Sequence, residues 1–216
     1  MTPEGLPMNR PPRKPDGTPK PKAQRNFTDP DSRIMEKGGA FLQGYNCQAA
    51  VDEAHQIIVG HAVTNMSPDN GNLVPMLEQV ESSCGRVPDV VTADTGYWNA
   101  DVEQACSALG TDAYIATKRI NRGEPPSPMS DDPLPDDAGA KERMRAKLNT
   151  AEGRDIYRKR KSVVEPVFGQ IKDARGLVRF LRKGMAAVSE DWGFECTCHN
   201  VLKVYRAGWR AATPPG

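Results

Sequence analysis

The sequence predicts an α/β protein in which a mixed sheet is flanked by helices. Apolar residues alternate with a period of two over residues 43–51 and 56–64, which is typical of strands. Beyond residue 64, segments with helical spacing alternate with short β-branched runs. The predicted order is strand, strand, helix, strand, helix, strand, and 216 residues are enough to enclose one core.

The helices and strands of this series have recognisable ends. The first predicted helix contains Pro75 in its opening turns, where a missing backbone N–H is tolerated, and it ends near Gly85. A short β-branched run then stops at Asp94. Asn99 can cap the next helix, which Gly110 ends, and the segment TDAYIAT is predicted to be another strand.

Segments of a different composition lie on either side of this pattern. Residues 1–25 are rich in proline and basic residues and are predicted to be a disordered arm, whereas residues 26–210 are predicted to form one domain. Residues 121–140, rich in proline and acidic residues, are predicted to be an insertion loop. Helix is predicted from about residue 140 to the C-terminus, with a kink. Helical spacing predicts that four late residues pack against the sheet: Trp192, Cys196, Leu202 and Tyr205.

The composition narrows the class of protein. A hydrophobic content of 38% with 26% charged residues is typical of soluble globular proteins. No apolar run approaches the ~20 residues that a membrane span needs, so no membrane partner is expected. The five cysteines are odd in number and irregularly spaced, which favours reduced thiols in the cytoplasm over a disulfide framework.

The net charge of +1 hides a strong segregation of charge. Residues 26–120 carry 5 basic and 13 acidic residues, whereas residues 141–183 carry 14 basic and 5 acidic residues. A basic block of this size is typical of a protein with a polyanionic partner. The alternative is a helix face that is basic only for solubility.

Asp94 is the first candidate for chemistry. It stands where an apolar strand opens into a loop, and the carboxyl ends of strands are where α/β folds collect their ligands. Taken alone, the segment ADTGY is also explained by the ordinary preference of aspartate for turns.

Glu165 is the second candidate, since it lies in the basic stretch YRKRKSVVEPVFGQIK, residues 157–172. One interpretation is local charge balance, with Glu165 paired to Lys161 one helical turn earlier. The other is a metal-binding carboxylate beside a surface that binds phosphates, because Mg²⁺ prefers carboxylate oxygens. Pro166 disfavours helical geometry at Glu165, so a kink or a restart of the helix is expected there.

Four segments together resemble the bacterial insertion-sequence DDE transposases, whose fold is RNase H-like and shared with retroviral integrases. They are NFTDPDSRIM, GYNCQAAVDE, ADTGYW and YRKRKSVVEPVFGQIK, in this order. The resemblance covers residues 26–206 and implies an RNase H-like mixed sheet. It also implies DNA transposition, through cleavage and transfer of DNA strands.

The resemblance assigns roles to individual residues. Asp94 matches the second catalytic aspartate of the family and Glu165 matches its catalytic glutamate, so both are expected to bind metal. The signature around the terminal phosphates implies four DNA-binding residues: Tyr157, Arg160, Lys161 and Lys172. The arginine lies one position further from Glu165 than in the usual pattern, so Arg160 and Lys161 are alternatives for one role.

The first catalytic aspartate of the family has no clear counterpart. Asp16 lies among prolines with no strand before it, Asp29 and Asp31 belong to a loop, and Asp52 falls in the predicted turn between two strands. The hypothesis that follows is a C-terminal part of a longer transposase, lacking the first, central strand and its aspartate.

The implied chemistry needs Mg²⁺ or Mn²⁺. Three carboxylates in the family hold two metal ions about 4 Å apart, which clamp the attacking and leaving oxygens of the phosphoryl group. The implied partners are the transposon ends and target DNA in the bacterial cytoplasm, at the nucleoid, and homo-oligomerisation is left open. With Asp94 and Glu165 alone, the chain is expected to bind DNA and to catalyse no strand transfer.

Three alternatives stay open. In the first alternative, the chain is a non-catalytic protein that binds nucleic acid through its basic helix. A second alternative is a zinc-binding module built on the segment CTCH, with Cys196, Cys198 and His199 as ligands. No partner pair of ligands stands at zinc-finger spacing, however. Trp98 belongs either to the core or to a surface on which a DNA base stacks.

Overall fold

The structure is a computed structural model that describes residues 14–18, 26–37, 39–118, 134–135 and 137–208. The predicted disordered arm and the predicted insertion loop therefore lie mostly outside the described residues. Over the described part of the chain, no helix combines the length and apolar character that a membrane crossing requires.

The described residues form six strands and five α-helices. The strands are β1 (Arg33–Lys37), β2 (Ala40–Gly44), β3 (Asn46–Val51), β4 (Ile58–Thr64), β5 (Val90–Ala93) and β6 (Asp112–Ile115). The helices are α1 (Leu73–Cys84), α2 (Val102–Ala108), α3 (Ala140–Asn149), α4 (Ala151–Gly169) and α5 (Met185–Arg206). A 3₁₀ turn covers Thr95–Tyr97 and a π-helical turn covers Gln170–Ala174. The predicted α/β composition is confirmed, and the RNase H-like arrangement stays a prediction.

The strands pair as β1 with β2, β3 with β4 and β5 with β6. The chain divides into two compact units, one of residues 1–48, 62–67 and 179–194, and the other of residues 49–61, 68–178 and 195–216. We call these the first and the second unit and describe each by itself.

The β1–β2 hairpin corrects the predicted number of strands. Two strands were expected before the first helix, but β1 and β2 add two more. They pair antiparallel with Lys37 opposite Ala40. Gly39, directly before β2, has φ of +81°, a left-handed conformation that favours glycine. The missed signal is the Gly-Gly pair in the sequence between the segments RIMEK and AFLQG, in which apolar and polar residues do not alternate regularly.

The loop before β1 has a structural role in the first unit. Asp31 Oδ2 accepts a hydrogen bond of 2.9 Å from the backbone N–H of Met185, the first residue of α5. Asp29 Oδ1 accepts from Gly184 N at 3.2 Å and from the Tyr45 hydroxyl at 2.7 Å. These carboxylates satisfy N–H groups at the positive end of the α5 dipole. Asp29 and Asp31 are therefore structural, as the sequence predicts.

The core of the second unit surrounds the parallel β5–β6 pair. Val90 lies opposite Asp112 and Ala93 opposite Ile115, and α2 connects the two strands. Residues of α1, α2, α3 and both strands pack into one buried cluster: Leu73, Leu77, Ala93, Val102, Cys106, Ala113, Ile115 and Met144. The predicted ends of α1 are confirmed, because Pro75 is its third residue and Gly85 adopts φ of 76° just after it.

Helix α4 does not restart at Pro166, so of the two predicted outcomes the restart is wrong and the kink stays a prediction. The helix continues to Gly169, and then widens into the π-helical turn. Proline cannot donate to the carbonyl of Ser162 four residues earlier. The side chain of Gln56 donates to that carbonyl instead, at 2.9 Å, so the helix passes the proline with this carbonyl satisfied. The helix predicted from residue 140 is interrupted instead at Thr150, between α3 and α4, and over residues 175–184, before α5 begins.

The predicted packing of the last helix is half correct. Trp192 and Cys196 are buried, and the Trp192 indole N–H donates to the Gln48 carbonyl at 2.9 Å. Leu202 and Tyr205, in contrast, are exposed, Tyr205 by 77%. In an α-helix Leu202 and Tyr205 lie about 80° and 140° around the axis from Trp192, so they fall outside the face that Trp192 and Cys196 bury.

The C-terminal half of α5 binds the turn between β3 and β4, residues 52–57, and the first residue of β4. Asn200 accepts from the N–H of Ile58 and donates to its carbonyl, both at 2.8 Å. His199 Nε2 lies 2.9 Å from the Gln56 carbonyl, so this nitrogen is the protonated donor and Nδ1 is unprotonated. His199 is fully buried, and its Nδ1 has no hydrogen-bond partner.

The first prediction concerns pH. Burial, with further contributions from nearby cations such as Arg175, lowers the pKa of His199 from its ordinary value of 6.5. A lowered pKa means that the unfolded state binds the proton more tightly, so the stability from neutral His199 is complete above pH 6.5 and falls below it. The His199→Gln variant should lose less stability between pH 7.5 and pH 5.5 than the wild type, measured by urea unfolding.

The matched control is His55→Gln, because His55 lies in the same turn but its side chain is 76% exposed. Its unfolding should follow the wild-type pH profile. Equal pH profiles for the wild type and His199→Gln would contradict the assignment of a neutral, buried His199.

Candidate catalytic site

Asp94 begins the site in the second unit, directly after the last residue of β5. Its backbone is extended, and its Oδ1 accepts a hydrogen bond of 2.9 Å from Gly96 N, which caps the 3₁₀ turn. Asp94 therefore does act as a turn residue, as the turn interpretation predicts. The cap uses one carboxylate oxygen, and Oδ2 is not part of that bond, so capping and metal binding are compatible in one side chain.

Gly96 brings a second carboxylate toward Asp94. A Cβ atom at Gly96 would lie 2.6 Å from Asp69 Oδ2 and 3.1 Å from Asp94 Oδ1. Contacts under 3.0 Å are not compatible with a real methyl group. An alanine here would therefore force the Asp69 carboxylate to shift, and the two carboxylates lie on the same side of Gly96.

Tyr97 lies beside both acidic residues and is partly buried against the core cluster. Burial raises the pKa of Tyr97 first, and the negative charges of Asp69 and Asp94 raise it further. Arg160 of α4 acts in the opposite direction. The phenol is therefore neutral at physiological pH, and it is a hydrogen-bond donor next to two carboxylates.

Tyr157 and Arg160 of α4 complete this group. The guanidinium carbon of Arg160 lies 5.6 Å from the centre of the Tyr157 ring. Burial raises the pKa of Tyr157, Arg160 lowers it in part, and Asp94 raises it again. Arg160 thus acts on Tyr97 and on Tyr157, and its Nε is buried without a hydrogen-bond partner. We call Asp69, Asp94, Tyr97, Tyr157 and Arg160 the Asp94 cluster.

The two alternatives for the signature arginine differ in position. Arg160 is half-buried in the Asp94 cluster, whereas Lys161 is exposed and makes no ion pair within the part of the chain that the structure describes. Lys172 is also exposed, with its ammonium nitrogen 5.1 Å from the centre of the Phe168 ring. Neighbouring basic residues are neutralised, since Arg158 pairs with Asp155 at 3.2 Å and Lys159 with Glu53 at 2.8 Å.

Glu165 is exposed on α4, and it does not form the ion pair that the local charge-balance interpretation predicts. No ion pair joins Glu165 to Lys161, or to any other basic residue among those the structure describes. In an α-helix each residue advances by about 100°, so Tyr157, Lys161 and Glu165 follow one another in steps of about 40° around α4. The exposed Glu165 therefore lies on the same flank as Lys161, beyond the half-buried Tyr157. That Glu165 and Asp94 share a cation stays a prediction.

The two candidate metal ligands, Asp94 and Glu165, fit the binding of one hard cation better than that of two. Asp94 and Glu165 offer carboxylate oxygens, and Mg²⁺ is often held by one or two carboxylates together with substrate phosphates. Over residues 14–18, 26–37, 39–118, 134–135 and 137–208, no group of three or more His, Cys, Asp or Glu side chains is arranged to hold a metal. A complete two-metal site is therefore not assembled by these residues.

Asp69 and Tyr97 are members of the cluster that sequence reasoning missed. Asp69 stands in the segment SPDNGN before α1, where an aspartate is routinely explained as a turn or cap residue. Its proximity to Asp94 follows only from the fold. Tyr97 had a local signal, because it is three residues from Asp94 in ADTGYW.

The remaining candidates have structural explanations. Trp98 is half-buried and packs against the core cluster, which agrees with the core interpretation. Asp52 organises its turn by accepting from His55 N at 2.8 Å and from Ile57 N at 2.6 Å. Asp16 caps a short turn by accepting from the Thr18 N–H at 2.9 Å. In CTCH, His199 is committed to the Gln56 carbonyl and Cys196 is buried, which leaves the zinc alternative without a favourable observation.

Comparison with known protein families points to one class. Residues 135–205 match the family model of the transposase DDE domain, and this segment contains all of α4 with Tyr157, Arg160 and Glu165. The match supports the resemblance to DDE transposases, a family of DNA transposition, over this third of the chain. No curated protein and no solved structure matched the chain.

The second prediction tests the geometry around Gly96. The Gly96→Ala substitution should lower the free energy of unfolding by about 1–2 kcal/mol, because the added methyl forces the Asp69 carboxylate to move. In an Asp69→Ala background the same substitution should cost clearly less, as measured by a double-mutant cycle with urea unfolding. Gly139→Ala is the control, since its methyl would meet its nearest atom at 3.9 Å. Equal costs of Gly96→Ala in both backgrounds would refute the close approach.

Proposed function

We propose that the Asp94 cluster and the Lys161–Glu165 flank of α4 form the DNA-processing site of a transposase, in which Asp94 and Glu165 bind a divalent metal. The observation that supports this best is the position of Asp94. It is distant in sequence from the matched segment 135–205, yet α4 of that segment packs against β5, the strand that ends directly before Asp94. A family signature and a strand-end aspartate thus contribute to one cluster.

The basic residues are proposed to bind the DNA backbone. Lys161 and Lys172 are exposed, so their charges can neutralise phosphates, while Arg158 and Lys159 are already paired with carboxylates. Tyr157 and Arg160 lie deeper, and we propose that they hold a terminal phosphate close to Asp94. Such contacts fix the position of the DNA without reading its sequence.

The metal is proposed to be Mg²⁺ or Mn²⁺, held by Asp94 and Glu165. When bound, such an ion supplies charge stabilisation for phosphoryl transfer between DNA oxygens. The residues of this chain have separate tasks: Asp94 and Glu165 offer oxygen ligands, Arg160 balances the negative charge of the Asp94 cluster, and the neutral Tyr97 donates a hydrogen bond. Strand cleavage and strand transfer at transposon ends are the proposed reactions of the complete site. Homo-oligomerisation and residence at the bacterial nucleoid stay predictions.

The third prediction concerns the basic flank. DNA affinity of the chain should fall linearly on a plot of log K against log salt, and Lys161→Ala or Lys172→Ala should each reduce the slope by about 1, because each removes one phosphate contact. The measurement is fluorescence anisotropy with a labelled duplex at several salt concentrations. Arg86→Ala is the control, since Arg86 is an exposed cation outside the proposed surface. An unchanged slope in both lysine variants would refute the proposed surface.

The fourth prediction separates an enzyme site from a simple DNA-binding protein. Mg²⁺ should increase DNA affinity of the wild type, and Glu165→Gln should remove this increase while metal-free binding is retained. The measurement is the ratio of Kd without and with Mg²⁺ at constant ionic strength. Glu152→Gln is the control, because it removes the same charge from the exposed first turn of α4. Tolerance of Glu165→Gln in this ratio would favour the non-catalytic alternative.

Strand transfer by this chain alone is a separate matter. We expect none, because Asp94 and Glu165 do not by themselves complete a two-metal site. If a gel assay showed Mg²⁺-dependent cleavage that Asp94→Ala abolishes, the chain would have to supply a third carboxylate. Asp69, beside Gly96 in the Asp94 cluster, would then be the first residue to test.

A further inference from the structure

Pro166 creates a defect in α4 immediately after Glu165. A proline has no N–H, so the carbonyl of Ser162 loses its usual donor from residue 166. Unsatisfied carbonyls inside a helix commonly produce a bend, because the chain opens to let water or another donor approach. The turn affected is the turn that carries Glu165.

The side chain of Gln56 repairs this defect from another part of the second unit. Its Nε2 donates to the Ser162 carbonyl at 2.9 Å, across 106 positions of sequence. Its Oε1 accepts from the Lys203 ammonium at 2.6 Å. Since a carbonyl needs a donor and an ammonium needs an acceptor, these two partners fix which end of the amide faces which group.

The backbone of Gln56 is held as firmly as its side chain. Gln56 has φ of 58°, and among the described residues it is the non-glycine residue with positive φ. Its N–H donates to the Asp52 carbonyl at 3.1 Å, and its carbonyl accepts from His199 Nε2 at 2.9 Å. Backbone strain in a glutamine is maintained only where the surroundings determine the conformation, and it is a feature of sites with a task.

We propose that Gln56 is a positioning residue for Glu165. It supplies the hydrogen bond that Pro166 removes, and it is itself fixed by His199 and Lys203 of α5. The turn of α4 between Ser162 and Pro166 is therefore held in one helical geometry, and Glu165 is presented from it in one direction. This inference rests on the proposed function of Glu165 as a metal ligand.

Gln56→Glu tests this role with little change in shape. The carboxylate still accepts from Lys203, but it cannot donate to the Ser162 carbonyl and repels it. We expect the Mg²⁺-dependent increase in DNA affinity to fall by roughly three- to ten-fold, the size of effect of one hydrogen bond, while metal-free DNA binding changes no more than in a control. Gln79→Glu is that control, because it adds the same charge. Gln79 Oε1 accepts a hydrogen bond from His61 N at 2.6 Å, and a carboxylate oxygen can accept the same bond.

Pro166→Ala provides the rescue. Alanine restores an N–H that can donate to the Ser162 carbonyl within the helix, so Gln56 becomes unnecessary for this purpose. In the Gln56→Glu, Pro166→Ala double variant, the Mg²⁺-dependent increase should return to within about two-fold of the Pro166→Ala value. Gln56→Asn is a second variant, because asparagine tolerates positive φ but is too short to reach Ser162, and it should behave like Gln56→Glu.

Hydrogen–deuterium exchange of the peptide covering residues 162–170 gives a readout that does not depend on metal. Exchange should accelerate in Gln56→Glu and return to the slow rate in the double variant. Faster exchange without a loss of the Mg²⁺ effect would overturn the positioning role, because Gln56 would then be merely structural. Unchanged exchange in Gln56→Glu would overturn the repair of the helix itself.

The two proposals fail differently. If the wild type shows no Mg²⁺ effect on DNA binding and Glu165→Gln changes nothing, the proposed function fails, and with it the role of Gln56 toward a metal ligand. The exchange data would still decide whether Gln56 holds the turn at Pro166. If the wild-type Mg²⁺ effect is present but Pro166→Ala gives no rescue, the proposed function stands and the inference about Gln56 is refuted.

Discussion

The second unit depends on how one short turn is held. Gln56, in the β3–β4 turn, carries a left-handed backbone that costs an L-amino acid about 1–2 kcal/mol. Four hydrogen bonds from its backbone and side chain offset this cost, to Asp52, Ser162, His199 and Lys203. Each is worth about 0.5–1.5 kcal/mol net, so together they outweigh the cost of the left-handed backbone. A strand turn, α4 and α5 thus stabilise one another through a single residue.

The Asp94 cluster is governed by a different constraint, which is the proximity of like charges. Asp69 and Asp94 both approach Gly96, and carboxylates brought together repel unless a cation compensates. Arg160 provides part of that compensation from α4, since it opposes the effect of the acids on Tyr97. A further cation would be attracted to the same place. This charge balance is compatible with the metal proposed at Asp94.

Local signals explain what could be predicted from the sequence. Helix α1 has Pro75 where a missing N–H is tolerated and Gly85 where a left-handed residue is needed, so its ends follow from nearby residues. The β1–β2 hairpin was missed although Gly39 gave a local signal, because its strands alternate poorly: Phe41 is 76% exposed. In α5 the prediction that Tyr205 packs was wrong because thirteen residues separate it from Trp192. That spacing places Tyr205 about 140° around the helix from the buried Trp192, on the exposed side.

Contacts between residues distant in sequence explain what could not be predicted. The sequence indicates a helix break at Pro166, and this is correct as a statement about the local chain. The helix continues because Gln56 donates across 106 positions, and no property of either segment alone reveals that bond. Asp69 is a similar case, since only the fold brings it to Gly96. The prediction that Asp94 and Glu165 act together comes from a resemblance, because spacing alone supplies no relation between them.

Charge counting overstates what the basic stretch offers to DNA. Residues 158–161 are four consecutive cations, yet Arg158 and Lys159 are paired with carboxylates and Arg160 faces the Asp94 cluster. Lys161 is left on the exposed flank with Glu165. Lys172, in the π-helical turn over Gln170–Ala174, is exposed as well. The number of cations in the stretch therefore exceeds the number that lie exposed, and outside these two ion pairs, beside Glu165, where the proposed function places a phosphate and a metal.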